Sequence, residues 1–183
     1  MNIIRTDIEG VLIVEPKVFG DARGYFMEVF SERDFRAATG LDVHFVQDNE
    51  SMSSRGVLRG LHFQKAPYAQ AKLVRVVRGS VQDVAVDLRA GSPTFGKYVS
   101  VVLSGENRRM FYMPEGFAHG FLTLEDDTIF QYKCGAFYTP SSEGSVRWDD
   151  PQIGVEWMNA GGDWILSDKD RKAPLLSEQP YRF

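Results

Sequence analysis

The chain is poor in the side chains that usually announce a mechanism. Its 183 residues include one cysteine, Cys134, and three histidines. A single cysteine excludes an intrachain disulfide and fits a reducing cytoplasm. No apolar run approaches the ~20 residues that a membrane-spanning helix requires. The opening MNIIRTDIEG has no basic segment followed by an apolar one, so no secretory leader is expected. Charge of one sign is scarce too: 21 basic against 25 acidic residues leave a net −4. That balance argues against a general nucleic-acid binder, while a local arginine cluster could still hold a phosphate. Internal repeats and low-complexity tracts are absent. What is present is 43% hydrophobic and 13% aromatic residues, enough for a real core. The expectation is a cytoplasmic chain forming a single domain over residues 1–183, with no membrane and no nucleic-acid partner.

One helix is predicted, over SERDFRAATG: Ser31 offers an N-cap with Asp34 three residues on, and Gly40 sits where a helix stops. Upstream, Val11–Val14, Lys17–Phe19 and Tyr25–Phe30 read as short extended pieces, with a turn at Asp21–Gly24. Val43–Asn49 and Val57–Phe63 read as strands around a polar turn, Glu50–Gly56. Gln70–Val77 and Val81–Leu88 are expected to form a hairpin at Arg78-Gly79-Ser80. Further strands follow at Lys97–Leu103, Arg108–Met113, Ala118–Leu124 and Thr128–Cys134. This spacing predicts a mainly β fold, an antiparallel jelly-roll β-sandwich with a few short helices. From Tyr138 onward periodicity weakens, and Trp148, Trp157 and Trp164 sit among Pro, Gly and Asp. The tail is expected as loops, with one short helix after Ser167, laid over the barrel.

Between Gln47 and Gln64 the chain carries more polarity than a core strand tolerates: Gln47, Asp48, Asn49, Arg59, His62 and Gln64. A buried ionisable group costs several kcal/mol unless it is paired, so the stretch suggests a pocket wall. The plainer alternative is a partly solvated sheet face with a satisfied histidine. Strand parity sets Lys72, Val74 and Val76 on one face, and Phe130, Tyr132 and Cys134 on another interior face. An inward Lys72 and an inward Tyr132 would point into the barrel mouth. A core tyrosine and a lysine snorkelling to water are the ordinary readings. Arg59 and His62 differ in parity, and a bulge at Gly60 would bring both to one pocket.

The order Pro114-Glu115-Gly116-Phe117-Ala118-His119 resembles the second motif of the cupin jelly roll, with Gly105 as its opening turn. In many cupins that histidine binds a metal. The first cupin motif wants an H-x-H pair followed by Glu, whereas His62 is followed by Phe63 and Gln64. Two histidines without a further ligand make a poor metal site, so no metal is expected. His44 reads as structural or surface. Ser167–Asp170 reads as an exposed charged turn, unless the tail folds back on His62, where a carboxylate would fix the imidazole tautomer.

Taken together, the chain resembles the dTDP-4-dehydrorhamnose 3,5-epimerase family of sugar-nucleotide epimerases. The resemblance is carried by FGDARGYFMEVF at Phe19–Phe30, QDN at Gln47–Asn49, RGLHFQ at Arg59–Gln64 and AKLVRVVRGSVQDVAVDLR at Ala71–Arg89. It continues through PEGFAHGF at Pro114–Phe121, YKCGAFYTPSSEG at Tyr132–Gly144 and SDKD near the end. One departure is Met158 after Trp157, where the family pattern has proline; it bears on a loop.

The resemblance implies a cupin-like jelly roll that inverts C3 and C5 of a 4-keto-6-deoxy sugar linked to dTDP, with no metal and no redox cofactor. It implies that His62 is the base, Asp170 its partner, Lys72 the group beside the C4 oxygen and Tyr132 the opposing acid. Arg23 and Arg59 match diphosphate contacts. Gln47, Asp48 and Asn49, with Glu28, match contacts to nucleoside and sugar. Tyr138, with Phe19 and Phe26, offers aromatic faces for thymine, and His119, Glu143 and Lys169 match further binding positions. It also implies a homodimer in which Phe19–Glu28 crosses into the partner, so that active sites are shared. A relative inverting only C3 or only C5 would carry similar residues and remains the alternative.

Overall fold

The structure, a computed structural model, describes residues 1–181 and 183. In chain order the strands are β1 (Asn2–Arg5), β2 (Leu12–Glu15), β3 (Val18–Asp21) and β4 (Gly24–Met27), followed by helix α1 (Glu32–Thr39). Then come β5 (Gln47–Ser53), β6 (Leu58–Gln64), β7 (Lys72–Arg78), β8 (Ser80–Asp87), β9 (Tyr98–Ser104) and β10 (Met110–Met113). The chain finishes with β11 (Phe117–Thr123), β12 (Thr128–Cys134), β13 (Glu143–Ser145) and the short helix α2 (Asp168–Arg171). Helix α1 forms where expected: Ser31 Oγ accepts from Asp34 N–H, and Gly40 closes the end at φ 74°.

The strands build an antiparallel, cupin-like β-sandwich. One sheet runs β1-β2-β10-β7-β12-β5, the other β13-β6-β11-β8-β9, and β3-β4 stand apart as a two-stranded ribbon. The expected hairpin at Arg78–Ser80 does not form. β7 lies in the first sheet and β8 in the second, so this turn is a corner between sheets. The same holds for β9–β10 and β11–β12. The cause is local packing: Gly79 takes φ 77°, with no room for a Cβ against Thr128, and its carbonyl accepts from Gly105 N–H at 3.0 Å. The corners are thereby locked together. Sequence alternation reports which side chains face inward, not which strand lies beside which.

The space between the sheets is filled at one end by Val74, Val76, Val81, Ala85, Phe111, Phe117, Phe121 and Phe130. Phe121 and Phe130 stack across it at 4.2 Å. Outside the second sheet the tail covers Val84, Val86 and Leu88, and its three tryptophans gather over Leu58 and Leu122. Met158 donates its backbone N–H to Gln82 Oε1 at 2.6 Å, a bond that a proline there could not make.

Candidate active site

The polar end of the sandwich is assembled by register. In the first sheet, Cys134 of β12 lies between Gln47 of β5 and Lys72 of β7, and Tyr132 lies between Asn49 and Val74. In the second sheet His62 of β6 pairs with His119 of β11. One residue further along, the ladder slips, because three steps from Arg59 to His62 face two from Phe121 to His119. That bulge centres on Gly60, at φ 130°, where a Cβ would lie 2.5 Å from Gly120 Cα. The extra residue turns Arg59 and His62, opposite in parity, toward the same cavity.

That cavity measures about 510 Å³ and is bordered by Arg59, His62, Lys72, His119, Tyr132 and Asp170, with Phe121 and Phe130 at its apolar side. His62, Lys72 and Tyr132 also border a smaller lobe of about 140 Å³ whose other walls include Gln47, Asn49, Tyr138 and Glu143. The imidazole and the phenol thus open onto common space.

The tail does fold back on His62. Ser167 caps α2, accepting from Asp170 N–H at 3.1 Å, and donates its hydroxyl to Asp170 Oδ2 at 2.8 Å. Asp170 Oδ1 sits 2.5 Å from His62 Nε2. Burial alone would raise the Asp170 carboxyl, but the bonds from His62 and Ser167 outweigh it and hold the group below the usual carboxylate range. With Nε2–H given to Asp170, the free lone pair of His62 is on Nδ1.

Lys72 is 8% exposed, and its ammonium has no hydrogen bond or ion pair among the described residues. Burial pushes it below the ordinary lysine range, with partial compensation from Cys134 and the Asp83 carboxylate. Burial likewise raises the Tyr132 phenol, aided by Cys134 and opposed by Arg59. Tyr132 therefore stays protonated at neutral pH.

Asp83 is the residue that sequence reading missed. It is fully buried and grips His119 Nε2 with both carboxylate oxygens, at 2.9 and 3.0 Å. Burial pushes the His119 imidazole down and the Asp83 carboxyl up, and each shift is opposed by the other group across the pair. A signal was available: Asp83 shares parity with Val81 and Ala85, which face the core. An acid on the buried face of a strand requires a partner.

The other expected residues divide. Gln47, Asn49, Tyr138 and Glu143 reach the small lobe, and Lys169 borders the large one while pairing with Glu143 at 2.6 Å. Asp48 points to the opposite face of β5, pairing with Lys133 at 2.9 Å away from the cavity. Phe19, Arg23 and Phe26 lie on the β3–β4 ribbon and its turn, exposed and outside the cavity that His62 borders within one chain, and Arg23 is held by Asp21. Glu28 is exposed just beyond β4. His44 is a surface residue paired with Glu32. No group of three or more His, Cys, Asp or Glu suited to a metal occurs among the described residues.

Comparison with known proteins gives a consistent answer. The family model described as dTDP-4-dehydrorhamnose 3,5-epimerase matches residues 5–178. A protein of that name from Methanothermobacter thermautotrophicus is 55% identical over 98% of this chain and 96% of its own. Among solved structures, the dTDP-4-dehydrorhamnose 3,5-epimerase of Elizabethkingia anophelis superposes with a TM-score of 0.94 at 51% identity, covering 99% of both chains. A dTDP-6-deoxy-D-glucose-3,5-epimerase from Legionella pneumophila, solved in complex with dTDP-4-keto-L-rhamnose, gives 0.93 at 50% identity, covering 97% of this chain and 93% of its own.

Proposed function

Because this chain belongs to the dTDP-4-dehydrorhamnose 3,5-epimerase family, enzymes of dTDP-L-rhamnose biosynthesis, we propose the following route for its reaction. The cavity inverts C3 and C5 of dTDP-4-dehydro-6-deoxy-D-glucose by proton transfer alone. His62 Nδ1 takes the proton from the carbon beside the ketone, and Asp170 stabilises the imidazolium that results. The electrons move onto the C4 oxygen, where the buried Lys72 ammonium stabilises the enolate. Tyr132 then protonates the same carbon from the other side of the ring. Solvent returns a proton to the phenolate and removes one from His62, so each inversion balances. His119, fixed by Asp83, meets a sugar hydroxyl through Nδ1.

The observation that carries this reading is that His62, Tyr132 and Lys72 border one cavity. The unpaired Lys72 supports it further, since a desolvated cation gains most from charge that develops beside it. Arg59 is read as a diphosphate contact and Tyr138 as the face that meets thymine. The exposed Phe19, Arg23 and Phe26 are read as reaching the partner's cavity in a homodimer. A two-stranded ribbon is marginally stable alone in water, which supports a covering partner.

The test is turnover in deuterated water with the 4-keto substrate, read by NMR at C3 and C5. Exchange at both carbons with inverted product is expected. Exchange at C3 or C5 alone would reduce the enzyme to a single-site epimerase, and exchange at neither would reject the assignment.

A further inference from the structure

The residue 136–139 backbone, which carries Tyr138, belongs to no strand or helix. Its Phe137 and Tyr138 side chains are 66% and 53% exposed, so packing does little to hold it. Four of its backbone polar groups are met by glutamine side chains. Gln70 Nε2 donates to Ala136 O at 2.7 Å, and Gln64 Nε2 to Phe137 O at 3.1 Å and Tyr68 O at 2.7 Å. Gln64 Oε1 accepts from Thr139 N–H at 2.7 Å, and Gln47 Oε1 from Tyr138 N–H at 2.9 Å. Four consecutive residues are each read by an amide. Both amide hydrogens of the buried Gln64 are committed, leaving none to donate to substrate.

We propose that Gln64 and Gln70 are positioning residues, clamping residues 136–139 so that the Tyr138 ring is pre-ordered at the mouth of the small lobe. Their location fits that task. Gln64 ends β6 two residues beyond His62, and Gln70 stands two residues before Lys72 on the approach to β7. The clamp therefore ties the aromatic face to the two strands that carry the base and the cation. Ordering a loop in advance removes that cost from binding and leaves the chemical step alone. The inference rests on the reading of Tyr138 as the thymine contact.

The experiment compares wild type, Gln64→Leu, Gln70→Leu, Tyr138→Ala and the doubles of each glutamine variant with Tyr138→Ala. It measures dTDP binding by calorimetry and kcat and KM with the keto sugar. Both glutamine variants should raise the dTDP Kd and the KM together, Gln64→Leu by about tenfold or more and Gln70→Leu by less, with kcat within about threefold of wild type. In the Tyr138→Ala background neither should add a further loss, because the ring they position is gone. Unchanged Kd and KM in both variants would overturn the proposal, as would a fall confined to kcat or losses that multiply with Tyr138→Ala. Should Gln64→Leu fail to fold, Gln70→Leu decides by itself. If wild type binds no dTDP, the assignment of the site fails instead, a result distinct from a variant that binds like wild type.

Discussion

Replacing Asp170 with asparagine removes one charge and very little volume. Asp170 is 3% exposed, 2.5 Å from His62 Nε2 and 2.8 Å from Ser167 Oγ, so it is neither free nor screened by water. A hydrogen bond to a charged group contributes about 1.5–3 kcal/mol, and each 1.36 kcal/mol is about tenfold in rate. Loss of the charge alone therefore predicts a fall of roughly 10- to 100-fold in kcat/KM. The amide adds a second effect. If it turns its NH₂ toward His62 Nε2, the imidazole proton must move to Nδ1 and the base is lost, as in triads where the wrong tautomer costs about 10⁴. The expected range thus runs from about 10, for loss of the charge alone, to about 10⁴ if the amide flips, carried mainly by kcat. The assay is initial-rate epimerisation, with the rate of deuterium wash-in at C3 and C5 measured in parallel. Both rates should fall together, since base and exchange share one step. A variant within threefold of wild type at neutral pH would refute the argument that this carboxylate orients the base.

Tyr132→Phe should leave deuterium exchange measurable while inverted product falls by at least about 10²-fold, because abstraction survives and the opposing donor is gone; inversion at the wild-type rate would remove Tyr132 from the mechanism. Gly60→Ala should cost more than ~2 kcal/mol in urea denaturation, from overpacking against Gly120 and a left-handed φ. Any folded Gly60→Ala protein should lose activity beyond its loss of stability, as the bulge that co-orients Arg59 and His62 relaxes. Asp87 gives a pH test. Its burial raises the carboxyl, yet bonds from Arg89, Ser92 and Thr94 prevail and lower it to about 2. A depressed acid stabilises above its unfolded pKa of ~3.9, and that stabilisation is lost as pH falls through the folded value. Asp87→Asn should therefore cost about 2 kcal/mol at neutral pH, and the gap to wild type should narrow from about pH 5 downward. A gap that stays constant from neutral to acidic pH would disprove the linkage.

Much of this arrangement was legible in one dimension, for reasons that differ residue by residue. Helix α1 was readable because its caps are local: Ser31, Asp34 and Gly40 lie within ten residues of each other. The inward face of β7 and β12 was readable because side chains alternate along any strand, whatever lies beside it. Gly60 was suspected because Arg59 and His62 could meet only through a broken register. Strand partners were not readable. Gly79 resembles a hairpin glycine, and its role as a corner depends on Thr128, far along the chain. Asp48 sat inside a matched motif, yet strand alternation sets it on the face opposite Gln47 and Asn49, where it pairs with Lys133.

The sequence by itself determined the class of fold, the helix, which residues share a strand face with Lys72 and with Tyr132, and through its resemblance the family and the chemistry to look for. Tertiary structure alone decided that Asp83 grips His119 and that glutamine amides hold the Tyr138 loop, and it supplied the contact, implied by the resemblance, of Asp170 with His62 across 108 residues. The physical reason is one of range. Capping and alternation are set by bonds a few residues long. A buried charge is satisfied by whichever partner the packed sheets bring near it, and that choice does not exist until the sheets have closed.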